Sequence, residues 1–148
     1  LSALKRAHIV IINGDQNTAI EKKILSHNKS LKIFYTKYVV EKISKIEKKE
    51  IIAFAGIGNP ENFFYLLKEM HIDTVDEIKF SDHHRYTEKE LENLINESKK
   101  NNAILLTTEK DYLRIPKKFN KDIKYLSIKV MIENKDEFIN EVKKSIWK

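Results

Sequence analysis

The chain has 148 residues, 41% hydrophobic and 34% charged, enough for the core of one ordinary domain, or of one domain and a piece of another. No apolar run approaches the roughly 20 residues of a membrane-spanning helix, and the lack of cysteine excludes disulfides and thiolate metal sites. The net charge of +6, mostly lysine scattered among glutamate and aspartate, suits nucleic acid, an anionic membrane face or a phosphorylated substrate, and equally a plain solvated surface.

In chain order, the opening Leu1-Ser2-Ala3-Leu4-Lys5-Arg6-Ala7 carries no signal-peptide pattern and reads as the interior of a longer chain. Residues 8–13 form a short apolar run ending at Gly14-Asp15, a buried strand and a turn. Residues 16–27 read as a helix with Ile20 and Ile24 on one face. Residues 31–40 alternate weakly, as an extended strand does. Lysine and glutamate dominate 41–49, an exposed connection where a domain boundary would fall.

Residues 50–55 make a second buried strand that runs into Gly56-Ile57-Gly58-Asn59-Pro60-Glu61. Asn59 suits a helix N-cap, Pro60 the first helical position and Glu61 the positive end of the helix dipole. Phe63, Leu67 and Met70 then recur at helical spacing. Residues 74–80 read as a strand, followed by the turn Ser81-Asp82-His83-His84-Arg85-Tyr86. Thr87 and Glu90 are in capping-box register, and Leu91, Leu94, Ile95 and Ser98 form the buried face of the next helix. Residues 103–106 read as another buried strand, then Thr107-Thr108-Glu109-Lys110-Asp111 offers Thr108 and Asp111 in capping-box register. Leu113 and Ile115 continue that helix until Pro116 stops it. Residues 123–130 alternate as a strand. Asn134 and Glu137 suit the start of a last helix that carries Phe138, Val142 and Ile146, with Trp147 near its end.

Strand and helix alternate from residue 50 onward, which predicts an α/β fold: a mainly parallel sheet with helices on both faces. Right-handed crossovers then bring three loops, 56–60, 81–86 and 107–111, to one sheet edge. Each loop has a chemical and a plain reading. Asp82-His83-His84 has the composition of a general base with its orienter, of a metal-ligand pair, or of a polar turn. Gly56-Ile57-Gly58 can cradle a phosphate on backbone N–H groups or can simply be a turn needing glycine conformations. Lys110 can reach a phosphate as a mobile point charge, while capping alone accounts for Thr108 and Asp111.

Taken together and in this order, Ala53 to Phe64, Phe80 to Tyr86 and Leu106 to Asp111 resemble the C-terminal part of the tetraacyldisaccharide 4′-kinases, the lipid A 4′-kinases. The opening Leu1 to Ala7 and the strand after it look like that family's middle region. The resemblance implies two α/β/α domains joined by a short β linker, the C-terminal half of a P-loop-type kinase. Residues 1–30 would be the tail of the nucleotide domain, 31–49 the linker and 50–148 the C-terminal domain. It implies transfer of the ATP γ-phosphate, with Mg2+, to the 4′-hydroxyl of a lipid A disaccharide precursor. The setting would be the cytoplasmic face of a Gram-negative inner membrane, met peripherally, with no nucleic acid.

Among this chain's residues the resemblance makes His83 catalytic. Asp82 would orient an imidazole, and Arg85, Lys110, Gly56, Gly58 and Asn59 would meet substrate or phosphate. The family's nucleotide loop has no counterpart, since none of the three glycines precedes Lys-Ser/Thr, so no kinase activity is expected of these residues alone. No metal ligands are assigned. The competing readings are a metal-dependent phosphoesterase of the Asp-His-His type and a non-catalytic nucleic-acid-binding module.

Overall fold

The computed structural model describes residues 2–43 and 50–146; Leu1, Trp147 and most of the expected connection at 41–49 lie outside them. The chain divides into two compact units, Leu1–Val39 with Lys129–Lys148, and Val40–Ile128.

The first unit opens with a 3-10 turn at Ser2–Lys5, then β1 (Ile9–Asn13), α1 (Thr18–His27) and β2 (Lys32–Ile43), whose first residues belong here. β1 and β2 run parallel from Ile9 opposite Lys32 to Asn13 opposite Thr36. Asn17 caps α1 by accepting hydrogen bonds from the backbone of Ala19 and Ile20, both at 3.1 Å. Tyr35 ties strand to helix: its hydroxyl donates to Glu21 at 2.8 Å and accepts from Asn17 N at 3.1 Å. The last helix, α5 (Lys135–Ile146), packs through Phe138, whose ring meets Phe34 edge-on at 5.3 Å. Asn134 precedes it at φ +52°, a left-handed conformation that asparagine tolerates.

The second unit contains β3 (Ile51–Ala55), α2 (Pro60–Glu69), β4 (Thr74–Lys79), α3 (Glu88–Lys100), β5 (Ile104–Thr108), the single turn α4 (Glu109–Tyr112) and the first part of β6 (Ile123–Ile132). Its strands lie in the order β6-β5-β3-β4, every neighbour parallel. All five residues of β3 are buried, as an unbroken apolar run in a central parallel strand must be.

Alternate β3 side chains feed two cores. Ile52 and Phe54 join Leu91, Leu94 and Ile95 of α3 on one face. Ile51, Ala53 and Ala55 join Phe63, Phe64 and Leu67 of α2 on the other. The expected fold class, α/β with helices on both faces of a mainly parallel sheet, is therefore what this unit builds. Because α2 carries the chain from β3 to one neighbour and α3 carries it back across to the other, the strand order reverses between β3 and β5.

Helix ends follow local rules with two exceptions. Ile72 N bonds Leu67 O and His71 N bonds Lys68 O, closing α2 with His71 at φ +56°. Ala103, Asn102 and α3 repeat that motif. Asn59 occupies the N-cap position of α2, yet its side chain makes no capping bond. The helix expected to continue through Leu113 and Ile115 is one turn long, Glu109–Tyr112; beyond it Leu113 is 78% exposed and Ile115 is buried.

Thr87 and Glu90 form the full box expected of them. Glu90 Oε2 accepts from Thr87 N at 2.7 Å, and Thr87 Oγ1 accepts from Glu90 N at 3.2 Å. The Thr87 backbone N–H, then its hydroxyl, then His84 hold the Glu90 carboxyl below its ordinary range. A depressed carboxylate contributes stability above its unfolded pKa and loses it as pH falls through the folded value. Thr87→Ala should therefore weaken the fold by about 1 kcal/mol at neutral pH. Between neutral pH and pH ~3, urea midpoints should fall further in the wild type than in Glu90→Gln; equal falls would show that the charge in this box does not matter.

Candidate functional site

Open parallel sheets bind ligands beyond the carboxyl ends of their strands, where the strand order reverses. In the second unit that position lies beyond β3 and β5. Gly56 follows β3, Phe80 to Tyr86 follow β4, and Thr108 to Arg114 follow β5, so the three expected loops do meet.

Their meeting point is Asp111, whose side chain is 0% exposed. Thr108 caps α4 by accepting from Asp111 N at 3.1 Å. In a full capping box the carboxylate would turn back to the backbone N–H of the cap. Here it reaches across the sheet edge instead: Asp111 Oδ2 accepts from Gly56 N at 3.0 Å and from the Thr108 hydroxyl at 2.8 Å. Oδ1 takes a guanidinium hydrogen of Arg114 at 3.3 Å. Arg114 also donates to Gly56 O at 3.4 Å, and the same carbonyl accepts from His83 N at 3.1 Å.

Gly56 is required for space rather than for conformation, since its φ is not positive. A Cβ there would lie 2.8 Å from the Tyr86 hydroxyl, 3.1 Å from His84 Cβ and 3.3 Å from Ser81 O. The turn after β4 is therefore packed directly onto the Gly56 backbone. Its N–H is already given to Asp111, so it is not a free cradle for an anion. Gly58 is looser, with the Asp82 carboxylate 3.4 Å from where a Cβ would stand.

His83 sits in this turn at φ +58°, a left-handed conformation unusual for a residue with a Cβ. Its imidazole is exposed between two charges: Nε2 is 3.8 Å from Asp82 Oδ2, and Nδ1 is 3.5 Å from Arg114 Nη2. His84 turns the other way. Its ring lies 4.7 Å from Phe80, and its Nε2 is 3.2 Å from Glu90. Adjacent imidazoles that diverge do not make a metal pair, and among the described residues no three His, Cys, Asp or Glu side chains gather as metal ligands.

Tyr86 packs edge-on against Phe54 at 5.5 Å and Phe80 at 5.1 Å. Its buried hydroxyl has no hydrogen-bond partner. Burial first, and the neighbouring Asp111 charge second, push its pKa up, so it stays a neutral phenol.

The structure thus brings together Asp82, His83, Gly56 and Gly58 from the expected set. Arg85, Lys110 and Asn59 are exposed around the cluster and enter none of these contacts. Arg114 was not anticipated; its only trace in the sequence is the three-residue spacing from Asp111.

The parallel sheet with helices on both faces defines an α/β protein, and its polar cluster lies at the point where the strand order reverses. The chain belongs to the tetraacyldisaccharide-1-P 4'-kinase family, whose model matches residues 1–146. Among its relatives, the tetraacyldisaccharide 4'-kinase of Pelagibacter ubique is 31% identical over 145 residues, 96% of this chain and 46% of the relative. That of Rickettsia bellii is 40% identical over 114 residues, 76% of this chain and 34% of the relative. That of Gluconobacter oxydans is 30% identical over 130 residues, 87% and 39%. The chain spans less than half the length of these relatives.

The packing at Gly56 has a direct test. Gly56→Ala should destabilise by about 1–3 kcal/mol through overpacking. Tyr86→Phe should change stability little, since it deletes a buried hydroxyl that lies beside Asp111 without a well-formed hydrogen bond. Gly56→Ala placed on Tyr86→Phe should recover part of its loss in thermal melts, because the shortest contact is gone. No recovery would place the strain at the Ser81 carbonyl or His84 instead.

Proposed function

We propose that the second unit carries the acceptor side of the active site of a lipid A 4′-kinase. The reaction would move the ATP γ-phosphate to the 4′-hydroxyl of a tetraacyldisaccharide 1-phosphate. The observation that carries this reading is His83, exposed at the switch point between the Asp82 carboxylate and the Arg114 guanidinium.

In this reading His83 takes the proton of the attacking hydroxyl, and Asp82 orients the ring. Arg85 and Lys110, with Gly58 and Asn59, meet the anionic substrate; Gly56 serves through its backbone. Imidazole suits such proton transfer near neutrality.

The residues of this chain do not fit a nucleotide site. They offer neither a Gly-Lys-Ser/Thr loop nor, among the described residues, a carboxylate set for Mg2+. ATP and Mg2+ therefore belong, in this proposal, to sequence outside the 148 residues, and these residues alone would not transfer phosphate. No helix among the described residues is long and apolar enough to cross a membrane. We place the intact protein at the cytoplasmic face of the inner membrane, meeting its lipid substrate peripherally.

The test compares two variants of the intact protein by radiolabelled phosphate transfer and by thermal melts. His83→Ala should lower turnover by roughly 10²-fold or more and leave the melting temperature nearly unchanged. Asp111→Ala should lower the melting temperature, because it strands the Gly56 N–H and Arg114. An early-melting His83→Ala that keeps its turnover would make His83 a structural turn residue and overturn the assignment.

A further inference from the structure

The contact between Arg114 and His83 goes beyond that assignment. Arg114 is reached through a ladder of residues three apart on one short segment. Thr108 caps the turn, Asp111 takes the Gly56 N–H, and Arg114 comes round to the opposite side of Gly56. Its guanidinium is fixed at two points, Asp111 Oδ1 and Gly56 O, and only then extends Nη2 to His83.

A guanidinium has donors only. A hydrogen bond at this contact requires a lone pair on the His83 nitrogen facing it, which in a neutral imidazole puts the ring proton on Nε2, toward Asp82. His83 N and the Arg114 guanidinium both donate to Gly56 O, so the backbone of His83 and the side chain that reaches its ring are anchored on one carbonyl. His83 itself is held at φ +58° on an exposed turn, with Arg114 Nη2 beside its ring.

We infer that Arg114 is the positioning residue for His83: it sets the ring plane and tautomer so that Nδ1 is the nitrogen with the available lone pair. The acceptor hydroxyl displaces Nη2 from Nδ1, a long and weak contact, while Asp111 keeps the guanidinium beside the ring. Asp111 thereby acts on the site through Arg114 as well as on folding. This inference rests on the proposed role of His83.

The experiment is a double-mutant cycle in the intact protein, joined to nitrogen spectroscopy of the ring. Arg114→Gln should lower kcat by about tenfold with KM little changed, as for an interaction made at the reacting centre. In a His83→Ala background the same change should have almost no further effect on kcat, because its target is gone. Arg114→Lys keeps a cation for Asp111 but cannot span Asp111, Gly56 and His83 at once; it should keep the melting temperature and still lose turnover.

In protein labelled with 15N-histidine, with His83 assigned by its loss in His83→Ala, Arg114→Gln should shift the His83 ring nitrogens. Equal kcat losses in both backgrounds, or unmoved ring resonances, would overturn the role of Arg114. Full turnover in His83→Ala would instead refute the proposed role of His83 and this inference with it. Unmoved resonances beside an inactive His83→Ala would refute Arg114 alone.

Discussion

A single carboxylate, fully out of water, holds the carboxyl edge of the second unit's sheet together. Asp111 accepts from a backbone N–H, a hydroxyl and a guanidinium that belong to two different strand ends. An uncompensated charge at that depth would be untenable, and a carboxylate has about four acceptor positions, so three donors nearly satisfy it. Neither the one-turn helix that carries Asp111 nor the turn that carries His83 has enough internal bonding to hold its shape. Each is defined by what it shares with Gly56. Breaking a buried pair of this kind typically costs about 3–5 kcal/mol, more than any single cap in the unit contributes.

The backbone at Gly56 is the complementary constraint. The N–H goes to Asp111, the carbonyl to His83 and Arg114, and the missing Cβ lets the Tyr86 ring and the Ser81 turn close down on it. All three loops therefore register against one peptide rather than against one another. The topology makes this possible. α2 leaves β3 toward one face while the segment after β5 buries Ile115 and Phe119 on the other, so the two chains part beyond the strand ends and the short loops meet there.

Much of this was legible in the residues. The apolar run at Ile51 to Ala55, the Thr87–Glu90 box and the inward face of Leu91, Leu94, Ile95 and Ser98 all depend on neighbours within four positions. So did the α/β alternation that put three loops on one edge. What could not be read was Asp111's choice of partner. Its spacing from Thr108 described a cap, while the atom it turned to lies 55 residues back.

Arg114 and the reason for Gly56 were hidden for the same cause. Each is decided by a strand end far away in sequence, and no periodicity reports that. Asn59 was misread in its detail: proline at the first helical position and Glu61, held below its ordinary range first by its own backbone N–H and then by Lys79, serve the start of α2 without it.

The strand order also governs how this unit can be made. β3 lies between β4, which follows it directly, and β5, which is separated from it by two helices and a strand. During synthesis the sticky Ile-Ile-Ala-Phe-Ala segment gains its outer neighbour first and keeps a bare inner side until α3 and β5 have emerged. Such an uncovered apolar edge is a template for pairing with another chain. The outermost strand is far safer, since Asp76, Glu77 and Lys79 load β4 with charge. The vulnerable moment in the life of this fold is therefore at its centre, and on the ribosome rather than afterwards.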